Sequence, residues 1–114
     1  MQISTRRFEK ATILDVEGKV DIHNTPRFRE ALLGTFKLEP LVMVNFERVQ
    51  YIDSSGIATL LEAYRQSKAQ NKRFILFRLG PMVRGMLELT RLTTVFEIYE
   101  SEDQALAAVG AEGR

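Results

Sequence analysis

The hydrophobic pattern changes period several times along the chain, and each change marks an element. Leu41-Val-Met-Val-Asn-Phe46 is a nearly continuous apolar run of β type. Such a run is the signature of a strand buried on both faces at the centre of a parallel sheet. The polar stretch Glu47-Arg-Val-Gln50 follows, and then the period switches. Ile57, Leu60, Leu61 and Tyr64 stand at i, i+3, i+4 and i+7, one face of a helix running to about Gln70. Between the two lies Tyr51-Ile-Asp-Ser-Ser-Gly-Ile57, whose centre, Asp53-Ser54-Ser55-Gly56, gathers a carboxylate and two hydroxyls. This polar knot sits at a strand-to-helix passage, where the first backbone N–H groups of a helix have no intrahelical partner.

The rest of the chain reads in the same way. Ile3 to Phe8 and Ala11 to Val16 are two β-rich runs joined by Glu9-Lys10. Ile13 and Leu14 predict burial on both faces of the second, and Gly18 marks its end. Asp21 to Thr25 leads into a helix that Asn24 or Thr25 can cap, with Pro26 at its start. Phe28, Ala31, Leu32, Leu33 and Phe36 form its apolar stripe, which Gly34 interrupts and Leu38-Glu-Pro40 closes. Phe74-Ile-Leu-Phe77 is a second buried-type strand. Gly80-Pro81 opens a helix containing Val83, Met86, Leu87 and Thr90. Val95-Phe-Glu-Ile-Tyr99 alternates like an outer strand, and Ser101 with Gln104 has the spacing of a capping box for a last short helix ending near Val109. Gly110 to Arg114 reads as a frayed tail. The order ββαβαβαβα predicts an α/β fold: a mixed, mostly parallel sheet of about five strands with about four helices, residues 1–114 forming a single domain.

Composition narrows the function classes. With 114 residues and 45% hydrophobic content the chain can bury a real core. Lys and Arg number 16 against 15 Asp and Glu, so no basic excess points to nucleic acid. Without cysteine there is neither a disulfide frame nor a thiolate metal site. No apolar run approaches the ~18–20 residues needed to span a bilayer, and Met1 to Phe8 lacks the apolar stretch of a secretory signal. The expectation is a cytoplasmic protein that neither binds nucleic acid directly nor inserts into a membrane.

Chemistry concentrates in the knot. Ser and Asp before a helix are ordinary caps, and Gly56 eases the turn. The same place suits an anion, because free N–H groups and the helix dipole favour negative charge by ~0.3–1 kcal/mol. A phosphate on a serine there adds about −1.5 to −2 charge and three acceptor oxygens. On a docking surface that charge acts on a partner rather than on the fold. No capping-box Glu or Gln stands three residues after either serine. His23 is the sole histidine, a surface or capping residue beside Asp21, and it cannot build a metal site alone. No nucleophile–base set accompanies Ser54. Gly80-Pro-Met-Val-Arg-Gly85 is not followed by the lysine of a phosphate loop. No enzymatic activity and no cofactor is therefore expected, and any phosphate arrives on a partner's ATP. Met82, Met86 and Leu89 make the third helix apolar on more than one side, read as core packing and alternatively as a partner patch. Thr59, Glu62, Arg65 and Gln66 fall on the polar face of the central helix and flank the knot, which makes them candidate docking residues.

Tyr51-Ile-Asp-Ser-Ser-Gly-Ile-Ala-Thr-Leu-Leu61 resembles the signature of STAS domains, specifically the bacterial anti-sigma factor antagonists. Gly18-Lys-Val-Asp21 is similar to the family's Gly-x-apolar-Asp before its first helix. Gly80-Pro81, Val83-Arg84 and Leu92-Thr-Thr-Val-Phe96 resemble its later turn, helix and strand. The resemblance implies an antagonist that binds an anti-sigma factor serine kinase and so frees a sigma factor. It implies phosphorylation of Ser54, which releases the antagonist, and a phosphatase that restores it. Asp53 would orient the site or mimic charge near it, Ser55 would be the neighbouring cap, and Asp21 would join the docking face. STAS domains also serve as cytoplasmic accessory subunits of ABC-type lipid transporters, an alternative role for this chain.

Overall fold

The computed structural model describes residues 1–110, so most of the expected tail, from Ala111 onward, lies outside the described residues. Nine elements follow in order: β1 Gln2–Phe8, β2 Ala11–Val20, α1 Thr25–Leu38, β3 Leu41–Ile52, α2 Ser54–Ala69, β4 Arg73–Phe77, α3 Pro81–Leu89, β5 Glu97–Tyr99 and α4 Glu102–Ala108. The five strands form one sheet in the order β1-β2-β3-β4-β5. β1 is antiparallel to β2, and every other pair is parallel. The expected ββαβαβαβα order and mixed sheet are what the chain forms. Among the described residues no helix is long and apolar enough to cross a membrane.

Strand alternation divides the core in two. Leu14, Val16, Val42, Val44, Phe46, Phe74 and Leu76 face one side, and Ile13, Met43, Ile75 and Phe77 face the other. Each parallel crossover steps one strand over in the same direction, so α1, α2 and α3 land together on one face. Phe28, Leu32 and Phe36 of α1, Ile57, Leu60 and Ala63 of α2, and Val83 and Leu87 of α3 fill that layer. Three edge-to-face contacts bind the lower half: Phe36–Phe74 at 5.4 Å, Phe74–Phe96 at 6.3 Å and Tyr64–Phe96 at 5.8 Å. Among the described residues, α4 is the one helix that covers the opposite face, through Ala105 and Leu106, with Val109 just after it. Arg6 ties it down by pairing with both Glu102 and Asp15.

Several boundaries differ from expectation, each for a physical reason. β2 continues past Gly18 to Val20, because Gly18 adopts φ +102°, a conformation open to glycine, where the β2–β3 register shifts. β3 runs six residues beyond Phe46, to Ile52. Within the polar stretch Glu47 to Gln50, Arg48 pairs with Glu17 and Val49 with Gly18, so the strand continues through two register shifts. α1 passes through Gly34 unbroken, the glycine lying on its solvent side. β5 holds only Glu97–Tyr99, since Val95 and Phe96 turn back onto the Leu92 carbonyl. Ser101 caps α4 by accepting from the Gln104 N–H, while the Gln104 side chain accepts from Glu100 N–H rather than from Ser101, one residue off a true box. Met86 packs against the core as expected, whereas Met82 and Leu89 are exposed.

A methyl group added at Gly34 would meet nothing within 4 Å, and the residue lies inside an unbroken helix. Gly34→Ala should therefore stabilise the protein by about 0.5–1 kcal/mol. The midpoint of a urea transition checks it; an unchanged or lower midpoint would show that the exposed turn carries some other constraint.

Candidate functional site

The polar knot forms where β3 ends and α2 begins, with no intervening loop. Ile52 is the last residue of the strand and Ser54 the first of the helix. Asp53 alone makes the passage. Its backbone is extended, φ −105° and ψ −175°, and its N–H bonds the Val20 carbonyl at 3.1 Å, continuing the sheet. Its side chain caps the helix: Oδ1 accepts from Ser55 N–H at 3.0 Å, Gly56 N–H at 3.1 Å and the Ser55 hydroxyl at 2.5 Å. Oδ2 accepts from the Ile22 N–H at 3.1 Å, reaching into the β2–α1 turn. The Ser55 hydroxyl bond first, then the backbone N–H bonds, hold the Asp53 carboxyl below the usual carboxylate range, against the opposing effect of partial desolvation.

The two serines are thus in different states. Ser55 is half-buried and its hydroxyl is committed to Asp53, so the cap is Asp53 and Ser55 is its client, contrary to the expected role of Ser55. Ser54 is exposed, and its hydroxyl makes no hydrogen bond within the described chain. Gly56 is needed for close approach. A Cβ there would lie 2.5 Å from Ile52 Cγ1, 2.9 Å from Ile52 Cδ1 and 3.1 Å from Val20 Cγ1. Helix α2 starts pressed onto the ends of β2 and β3, which leaves Ser54 at the rim and Ile57 inside.

The expected docking residues separate. Arg65 and Gln66 are exposed, and with Ser54 and Ala58 they lie along the outward side of α2. Glu62 is half-buried and bridges to α1 through Arg29, at 2.7 and 2.6 Å. That guanidinium lowers the Glu62 carboxyl below its ordinary range. Thr59 is buried, not on a polar face. Its hydroxyl donates to the Ser55 carbonyl at 2.9 Å, so the helix itself satisfies the polar atom and the methyl can go inside. Asp21 shapes the neighbouring turn: Oδ1 accepts from His23 N–H at 3.0 Å, and its own N–H donates to Asn24 Oδ1 at 2.9 Å. Asn24 in turn donates to the Lys19 carbonyl at 2.8 Å. Neither Asn24 nor Thr25 makes a side-chain cap on α1. His23 is exposed. Ile22 escaped sequence reasoning. Its contact to Asp53 is a backbone one across 31 residues, and the only signal was an isoleucine in a polar turn.

The chain is similar to known proteins over most of its length. The STAS domain profile matches residues 2–105. An anti-sigma-B factor antagonist of Listeria monocytogenes is 27% identical over 90 residues, covering 78% of this chain and 79% of that protein. An anti-sigma factor antagonist from Mycobacterium paratuberculosis superposes with a TM-score of 0.86 at 23% identity, over 96% of this chain and 93% of the other. The phosphorylated form of the Bacillus cell fate determinant SpoIIAA superposes with a TM-score of 0.73 at 22% identity, over 95% of this chain and 99% of the other.

Gly56→Ala should destabilise by about 1–3 kcal/mol, because the added methyl forces the fully buried Ile52 side chain to shift; equilibrium unfolding would show it, and a neutral result would mean that α2 shifts freely. Asp53→Ala should lose about 1–2 kcal/mol of capping near neutral pH. Since folding lowers the Asp53 carboxyl, its contribution is complete above the unfolded value of about 4. It disappears as pH falls through the lower folded-state value. The gap between wild type and Asp53→Ala in urea unfolding should therefore be constant above that range and narrow below it.

Proposed function

The chain belongs to the STAS domain family, and from that premise we propose that it is an anti-sigma factor antagonist switched off by phosphorylation of Ser54. It binds an anti-sigma factor serine kinase, the sigma factor is released, and the kinase uses ATP to phosphorylate Ser54. The modified chain then lets go until a phosphatase removes the group. One observation carries this reading: of two adjacent serines at the start of α2, only Ser54 is exposed with an uncommitted hydroxyl.

The surroundings support a switch that acts outward. The Ser55 and Gly56 N–H groups, the natural anion site of the helix, are already taken by the Asp53 carboxylate. A phosphate on Ser54 finds those donors occupied and a like charge beside it. Its charge is therefore presented to the partner rather than absorbed by the fold. Asp53 orients the site, while Gly56 lets the helix start at the rim. Asp21, Glu62, Arg65 and Gln66 flank the site and make up the polar part of the contact. Thr59, being buried, supports the helix instead. Arg65 and Gln66 offer the side chains most open to a partner, since Glu62 is already engaged by Arg29.

Incubation with ATP and the anti-sigma serine kinase of the source organism, followed by peptide mass spectrometry, tests the proposal. One phosphate is expected on Ser54 in wild type and in Ser55→Ala, and none in Ser54→Ala. Ser54→Asp should weaken the kinase complex by about tenfold or more, equivalent to ~1.4 kcal/mol, whereas Ser54→Ala keeps it. Phosphate on Ser55, or none at all, overturns the reading. Co-purification with a transporter ATPase in place of the kinase would assign the accessory role instead.

A further inference from the structure

We infer that Ile22 is the apolar anchor of the face through which the partner reads Ser54, with Met82 closing that face from the other side. This rests on the Ser54 reading and extends it to a residue the polar motif does not contain. Among the described residues six large apolar side chains are exposed: Phe8, Ile22, Leu38, Tyr51, Met82 and Leu89. Single exposed apolar residues need no explanation, but three of these gather at one edge. Ile22 follows the end of β2 by two residues, Tyr51 is the penultimate residue of β3, and Met82 lies in the first turn of α3 after β4. With the strands in the order β2-β3-β4, Ile22 and Met82 flank the β3–α2 passage that carries Ser54.

Ile22 is 68% exposed and belongs to neither core, yet its backbone is held firmly. Its N–H bonds Asp53 Oδ2. On either side, His23 N–H bonds Asp21 Oδ1, Asn24 N–H bonds the Asp21 carbonyl, and the Asn24 side chain brackets Asp21 and Lys19. A β-branched side chain on an ordered turn has few conformations left to lose, so burying it against a partner sacrifices little entropy. The fold gains nothing from leaving it in water.

The occupant is the protein that delivers the phosphate. A specific interface covers about 800 Å² on each partner, a disc of roughly 16 Å radius. A partner whose ATP reaches the Ser54 hydroxyl centres that disc near Ser54. Ile22 is one hydrogen bond from Asp53, Ser54's neighbour in the chain, so it falls within the footprint. The partner should present an apolar pocket with a polar rim. The same arrangement sharpens the switch, because a phosphate set between Ile22 and Met82 could keep the contact only by being desolvated against apolar surface.

Calorimetric titration of the unphosphorylated chain with the purified serine kinase and ADP tests the inference. Ile22→Ser should weaken binding by about thirtyfold, the effect of truncating an interface hot spot, with the urea midpoint unchanged. Ile22→Val should stay near wild type, as should Leu38→Ser, which is 82% exposed at the far end of α1. If Ser54→Asp releases the kinase but Ile22→Ser binds like wild type, the anchor is refuted and the Ser54 reading stands. If the kinase neither binds nor phosphorylates wild type, the Ser54 reading falls and the anchor with it. If sedimentation shows a wild-type dimer that Ile22→Ser abolishes, with kinase binding untouched, the residue belongs to self-association and the inference is overturned.

Discussion

The Asp53 carboxylate is the constraint on which the edge carrying the candidate site depends. Its two oxygens accept four hydrogen bonds from two segments far apart in sequence: Ser55 and Gly56 at the start of α2, and Ile22 in the β2–α1 turn. Each bond to an ionised acceptor is stronger than a neutral one. Together they join a helix start, a strand end and a neighbouring turn at a single atom group. Replacing the carboxylate leaves three backbone N–H groups and one hydroxyl without their acceptor at once. This also explains why the strand hands over to the helix with a single residue between. The cap that starts α2 is also the residue whose N–H closes the ladder to Val20.

Where that edge stands follows from the sheet order. Consecutive parallel strands added in one direction force α1, α2 and α3 onto one face, and each helix then begins above the carboxyl end of its strand. Helix starts, with their unpaired N–H groups, collect on one side of the molecule. The opposite side collects helix ends, where Lys37 and Lys68 stand in last turns and suit the dipole. Chemistry that needs donors or a charge-sensitive hydroxyl is thereby confined to the first side. The sheet's second face, covered by one short helix and the Arg6 pairings to Asp15 and Glu102, serves stability. Those pairs are partly exposed, and surface ion pairs contribute little, so α4 is held mainly by Ala105 and Leu106.

How much of this could be read from the sequence depends on whether the signal was local. The periods of Leu41–Phe46 and of Ile57–Tyr64 are local, and they placed the central strand and helix correctly. Ile13 and Leu14 do face opposite cores. The strand extensions were not legible, because Arg48–Val49 and Gly18–Val20 pair through backbone groups while the residues around them pattern like a loop. Gly18 looked like a stop because glycine's usual meaning is a turn; here it supplies a left-handed residue within a continuing strand. Thr59 was misplaced for a similar reason. Its residue type suggests a polar face, but a hydroxyl bonded to the preceding turn leaves only a methyl to place. The motif Asp53-Ser54-Ser55-Gly56 marked a candidate site. It could not say which serine was tied, since that depends on where the Asp53 oxygens point.

That last distinction decides how charge on Ser54 can act. A phosphate at a helix start is ordinarily stabilised by the donors beneath it, and a modification of that kind would strengthen the fold while leaving the surface nearly unchanged. Here the Ser55 and Gly56 donors are spent on a built-in carboxylate, whose ionised form the Ser55 hydroxyl and the backbone favour. A dianion added there, as proposed, would meet repulsion from Asp53 and would draw its compensation from the Ser54 N–H, water or a partner. A partner shaped for the neutral hydroxyl must then either supply cations it does not need for the unmodified form, or dissociate. The fold would tolerate the proposed charge because Ser54 is exposed and contributes no side-chain bond. Under the proposed phosphorylation of Ser54, the same cap that starts α2 without a phosphate would leave the phosphate to act between molecules.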